Sequence, residues 1–96
     1  MTQEQINVFV DCMTYEDHSV RYRGNVCWCL GLTWWEEKKV YSIEVYEYDR
    51  EGKEFIRTLL VHKSPSRDEC MKHFLEDKYW DGKSFYEVAP ELEWVD

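Results

Sequence analysis

Val40-Tyr41-Ser42-Ile43-Glu44-Val45-Tyr46-Glu47-Tyr48, followed by Asp49-Arg50-Glu51-Gly52-Lys53, is the stretch on which the fold turns. β-Branched and aromatic residues dominate it, and strand periodicity sends Tyr41, Ile43 and Val45 one way and Glu44, Tyr46 and Tyr48 the other. The charged run behind it contains Gly52, able to take the left-handed conformation that a hairpin loop needs. A strand that turns back in this way asks for antiparallel neighbours. Upstream, Val26, Trp28, Leu30, Leu32 and Trp34 alternate with Cys27, Cys29, Gly31, Thr33 and Trp35, which predicts a long strand ending at the charged turn Glu36-Glu37-Lys38-Lys39. Before it, Val20 to Arg23 reads as a short strand with Gly24-Asn25 as its turn, and after the hairpin loop Glu54 to His62 completes a meander.

Helical signals flank this block. Thr2 and Gln5 have the spacing of a capping box, and Ile6, Phe9, Val10 and Met13 recur at helical spacing, so a helix is expected over residues 3 to 13. Ser64-Pro65 opens a second helix, with Ser66 and Glu69 at capping-box spacing and Cys70, Met71, Phe74 and Leu75 as its buried stripe. Asp81-Gly82 is the expected stop, Ser84 with Glu87 caps one more turn through Val88, and Pro90 predicts an extended exit. A chain of 96 residues has room for one core, so residues 1–96 are read as a single α+β domain. Its expected architecture is an N-terminal helix, a four-stranded antiparallel meander, and a C-terminal helix with a short helical turn packed on one sheet face.

The formal charge of −8 opposes direct binding to nucleic acid or to an anionic membrane and favours encounter with a basic surface. The polar start Met1-Thr2-Gln3-Glu4-Gln5 carries no signal-peptide pattern, and no apolar run reaches membrane-span length, so a cytoplasmic location is expected. In that compartment Cys12, Cys27, Cys29 and Cys70 are expected as reduced thiols. Cys27 and Cys29, two apart on a strand, point the same way with Cα atoms about 6.6–7 Å apart, too far for an easy disulfide. A zinc site from Cys27, Cys29, Cys70 and His73 is stereochemically conceivable, but paired Cys-x-x-Cys knuckles are absent, and buried apolar thiols are the favoured reading. No basic surroundings mark a thiolate nucleophile near His18, His62 or His73. Gly82-Lys83-Ser84 lacks the upstream glycine of a phosphate loop. No catalytic residue, metal ligand or cofactor is therefore assigned.

What remains is an interleaving of aromatic rings and carboxylates, a combination suited to a binding surface because Tyr and Trp bring contact area at low entropy cost. Adjacent strand residues face opposite ways, so one of Trp34 and Trp35 is expected at the surface beside Glu36 and Glu37. The partner-binding set read from the chain is Trp35, Glu36, Glu37, Glu44, Tyr46, Glu47, Tyr48 and Asp49, with Glu91 and Glu93 from the acidic C-terminal segment. Trp94 is expected to dock on the core and hold Glu91 and Glu93 outward in a row with the sheet acids. Small size, acidity, aromatic richness and the absence of catalytic motifs resemble phage and mobile-element inhibitors, including anti-CRISPR and other anti-defence proteins. The segment Trp80-Asp81-Gly82-Lys83-Ser84-Phe85-Tyr86-Glu87-Val88, with Glu91-Leu92-Glu93-Trp94, resembles the ends of small bacterial and prophage proteins. The resemblance implies a non-enzymatic protein acting in a bacterial host cytoplasm on a basic, nucleic-acid-binding partner such as a CRISPR effector. The alternative is a small-molecule or peptide-binding module with a cleft lined by Trp28, Trp34, Tyr46, Trp80 and Trp94.

Overall fold

Thr2 and Gln5 close their capping box reciprocally, each side chain taking the other's backbone N–H, and start helix α1 at Gln3–Cys12. Ile6 and Phe9 are its buried residues, with Met13 buried just beyond its end. The chain then forms β1 (His18–Tyr22), β2 (Asn25–Trp35), β3 (Val40–Tyr48) and β4 (Phe55–Ser64). Helix α2 (Arg67–Glu76), helix α3 (Phe85–Val88), a 3₁₀ turn at Ala89–Glu91 and β5 (Glu93–Trp94) follow. The computed structural model describes residues 1–95, and among them the strands form one antiparallel sheet in the order β4-β3-β2-β1-β5.

The expected α+β meander is present, with one strand more than expected. Leu92 is buried, and beyond it Glu93 and Trp94 pair with Arg21 and Val20 as a short fifth strand on the free edge of β1. The first hairpin turns at Arg23-Gly24, one residue earlier than expected, both with positive φ (51° and 85°), the combination a tight two-residue hairpin demands. In the β3–β4 loop Gly52 has φ +75°, and the Asp49 carboxylate accepts the backbone N–H groups of Glu51 and Lys53.

α2 ends at Glu76, short of Asp81-Gly82. Those two residues do adopt positive φ (52° and 90°), but they form a separate tight turn in which Trp80 and Lys83 exchange backbone hydrogen bonds. Leaving the helix early lets the Trp80 ring reach the core, where it is fully buried against Tyr22. Ser84 and Glu87 form the expected capping box for α3. Pro90 sits in the first turn of the 3₁₀ segment, where its missing N–H costs nothing, so the extended exit begins only at Leu92.

All three helices contribute to one core on one side of the sheet. Ile6, Phe9, Cys70, Phe74, Phe85 and Val88 pack with Val20, Cys27, Cys29, Ile43, Val45 and Leu60. Phe85 lies between Phe9 and Phe74, with ring centroids 5.6 and 5.0 Å away. Among the described residues, the other side of the sheet carries no helix.

Candidate interaction surface

Which side chains reach the uncovered face is decided by a bulge. Leu30 pairs with Glu44, but Thr33, three residues on, pairs with Ser42, so β2 holds one extra residue at Gly31-Leu32. The amides there are satisfied from the α1–β1 loop: Gly31 N–H donates to Asp17 Oδ1 at 2.8 Å and Leu32 N–H to the Met13 carbonyl at 2.9 Å. A Cβ at Gly31 would lie 2.3 Å from the Glu16 carbonyl oxygen, so the loop's passage requires glycine. The unbroken alternation expected from Val26 to Trp35 is thereby corrected. Beyond the bulge Thr33 and Trp35 join the side of Val26, Trp28 and Leu30, while Trp34 crosses over to pair with Tyr41, its ring 4.8 Å away.

The uncovered face is consequently aromatic and ordered in rows. Trp28, Tyr46 and Thr58 are cross-strand partners, as are Leu30, Glu44 and Val61. Tyr48 lies opposite Phe55, whose ring packs edge-on to Tyr48 at 5.8 Å and to Tyr46 at 6.2 Å. The Tyr46 hydroxyl donates to Glu44, and the indole N–H of Trp35 donates to Ser42 Oγ at 2.7 Å. The face nonetheless stays open to solvent: Trp35 is 46% exposed, Phe55 56% and Val61 47%. At one end an open hollow of about 310 Å³ is lined by Trp35, Glu37, Lys38 and Lys63.

Of the residues singled out from sequence, Trp35, Glu44, Tyr46 and Tyr48 share this face, and Glu36 and Glu37 stand in the turn at its end. Glu36 is tied to Trp34 and Lys39, and these hydrogen bonds, the lysine's first, hold its carboxyl below the usual range. Glu47 is on the opposite, helix-covered side and is buried. There Arg57 bridges it to Asp81, Asn25 Nδ2 donates to it at 2.8 Å, and Tyr22 and Arg23 donate to Asp81 at 2.6 and 3.2 Å. Asp49 is occupied in its turn. Glu91 pairs with Lys83 at 3.1 Å and Glu93 approaches Arg21 at 4.0 Å. Trp94 docks as expected, edge-on to Phe9 at 5.1 Å, but β5 is separated from β3 by two strands, so Glu91 and Glu93 form no row with Glu44. Phe55 and Val61 were missed from sequence; their placement follows from the register across the β3–β4 hairpin.

The five aromatic residues proposed to line a cleft do not converge. Trp80 lies in the core, Trp28 and Tyr46 are on the uncovered face, and Trp94 is beside α1. The thiols also behave as apolar groups. Burial pushes Cys27 up to about 12 and Cys29 and Cys70 above their ordinary value, so all three are protonated at neutral pH. Among the described residues Cys27, Cys29, Cys70 and His73 do not bring their ligand atoms together, and no helix is long and apolar enough to cross a membrane. Comparison of the chain with protein-family models, with curated proteins and with solved structures finds no match.

Proposed function

We propose that this chain is a non-enzymatic binding protein that engages a basic protein partner through the uncovered face of its sheet. The observation that carries the reading is the set of partly exposed rings on this face, with Trp28, Tyr46, Tyr48 and Phe55 neighbouring one another and Trp35 toward the other end, braced by cross-strand packing and polar ties. Rigid, half-desolvated aromatic residues are the groups that dominate interface energetics, and preorganisation spares the entropy of ordering them. The charge of −8 supplies a field that steers a cationic partner and repels a second copy of the same chain. A nucleic-acid-binding protein, including an effector of the CRISPR type, presents the basic surface that this field would attract. In this reading the rings carry affinity and the dispersed acids carry approach, in place of a row of carboxylates imitating a phosphate backbone.

Affinity capture from a bacterial lysate tests it, using wild type beside Tyr46→Ser/Phe55→Ser and beside Glu4→Lys on the exposed side of α1. Wild type and Glu4→Lys should retain a basic protein at low salt that the double variant loses. Equal capture by all three forms, or capture of no basic protein at low salt, refutes the proposal.

A further inference from the structure

We propose that His62, Glu69 and His73 form a binding site for a divalent transition ion of the zinc class, at the junction of β4 and α2. His62 pairs with Ile43 on the helix-covered side of the sheet. After the short link through Ser66, the N-cap, α2 places Glu69 and His73 one turn apart above it. The two imidazole rings stack, centroids 3.8 Å apart. Glu69 Oε1 stands 3.6 Å from His62 Nε2 and 3.9 Å from His73 Nε2, beyond hydrogen-bond reach of either. His62 Nε2 is shielded from solvent and has no hydrogen-bond partner. Three donor atoms thus converge without satisfying one another.

The groups behind them are arranged as metal sites require. His73 Nδ1 lies 2.7 Å from Asp77 Oδ2, so its proton is held there and the Nε2 lone pair is left free, as in a carboxylate–histidine–zinc relay. Ser64 Oγ donates to Glu69 Oε2 at 2.8 Å, leaving Oε1 to face the imidazoles. Two nitrogens and one oxygen suit zinc, cobalt or nickel better than magnesium or calcium. Tetrahedral bonds of about 2.0–2.1 Å put donors about 3.4 Å apart, so small rotations that fan the stacked rings toward Glu69 would close the site. The side chains of His62, Glu69 and His73 are 24%, 51% and 34% exposed, which gives the ion a way in and leaves a position for water.

Cys12, Glu16 and His18 also lie within ligand distance of one another. In that group His18 Nε2 already meets Glu16 at 3.1 Å and Cys12 Sγ meets the Tyr15 hydroxyl, so no donor is stranded.

The test is calorimetric titration of the tag-free, chelator-treated full chain with Zn²⁺, with Co²⁺ absorption as a second readout and circular dichroism to confirm folding. One ion per chain is expected, bound by nitrogen and oxygen without a thiolate-to-cobalt band. Glu69→Gln should weaken uptake by more than about tenfold, Asp77→Asn by about tenfold through its effect on His73, and Cys12→Ser not at all. Zn²⁺ should raise the melting temperature of wild type and leave that of Glu69→Gln unmoved. Both informative substitutions are at solvent-accessible side chains, so the test stands even where His62→Gln fails to fold. No uptake at millimolar metal, equal uptake by wild type and Glu69→Gln, or loss of uptake in Cys12→Ser overturns the assignment.

Discussion

Replacing Asp81 with asparagine tests whether the polar network under the sheet holds the fold or merely decorates it. Asp81 Oδ1 and Oδ2 accept from Arg57 Nη1 and Nη2 at 3.0 and 3.1 Å, and Oδ2 also accepts from Tyr22 and Arg23. The Arg57 bond, then that of Tyr22, lowers its carboxyl from 3.8 to about 2. Asparagine is the right probe because Asp81 has φ 52°, a left-handed conformation that Asn tolerates and Ala resists. A carboxyl whose folded value is depressed stabilises the fold above its unfolded value and loses that contribution as pH falls through its folded value. The full displacement corresponds to roughly 2.5 kcal/mol. Because the side chain keeps 29% of its surface in water, we expect about 1–2 kcal/mol, or about 5–10 °C in melting temperature at neutral pH. Thermal melts of wild type and Asp81→Asn from pH 7 to pH 2 should show that gap intact down to about pH 4 and closing toward pH 2. A neutral-pH gap below about 0.3 kcal/mol, or one that stays constant into acid, would refute the reasoning.

Three further outcomes follow from the packing. Gly31→Ala should destabilise by about 1–3 kcal/mol in denaturant titration, since its methyl would meet the Glu16 carbonyl; an unchanged midpoint would mean that the loop moves aside freely. Trp94→Ala should cost about 2–3 kcal/mol by thermal melt, less than a fully buried tryptophan because the ring is only partly covered by Phe9 and His18. Glu91→Lys with Glu93→Lys takes the charge from −8 to −4, two units for each substitution, and should leave the melting temperature within a few degrees. The same pair should slow association with a captured basic partner in surface plasmon resonance, mainly at low salt; an unaltered on-rate would count against charge steering.

The parts of the fold legible in the sequence are those whose cause is local. The capping box of α1, the β3 alternation and the left-handed Gly52 each depend on residues a few positions apart. What escaped depends on contacts between distant segments. Gly31 within a strand pattern is a bulge signal, yet only the passing Glu16 backbone explains why the bulge is there, and it reassigns Thr33, Trp34 and Trp35 between faces. The fifth strand is two residues long, too short to show periodicity, and exists because β1 offers an edge. The Ser66–Glu69 spacing predicts a capping box; the Glu69 side chain turns to Ser64 and the two histidines instead, a choice invisible without the strand beneath the helix.

The acidic residues carry the same lesson into function. Glu47 shares the parity of Ile43 and Val45, so alternation alone places it inward; its charge argued for the surface, and the structure resolves the conflict by supplying Arg57 from β4. A buried carboxylate needs such a partner, and Arg57 is held in turn by Asp81 from the turn after α2. Asp49 is likewise committed to its loop and Glu69 to the β4–α2 junction. Net charge is therefore a poor guide to where this molecule is negative, because several of its acids are tied up in hydrogen bonds and ion pairs within the fold. The uncovered face is different in kind: its aromatic rings pack on one another, but none is needed to fill the core cluster. A sheet that keeps Trp35, Phe55 and Val61 about half in water on one side, while burying the Glu47 carboxylate on the other, has placed apolar surface where a partner can cover it.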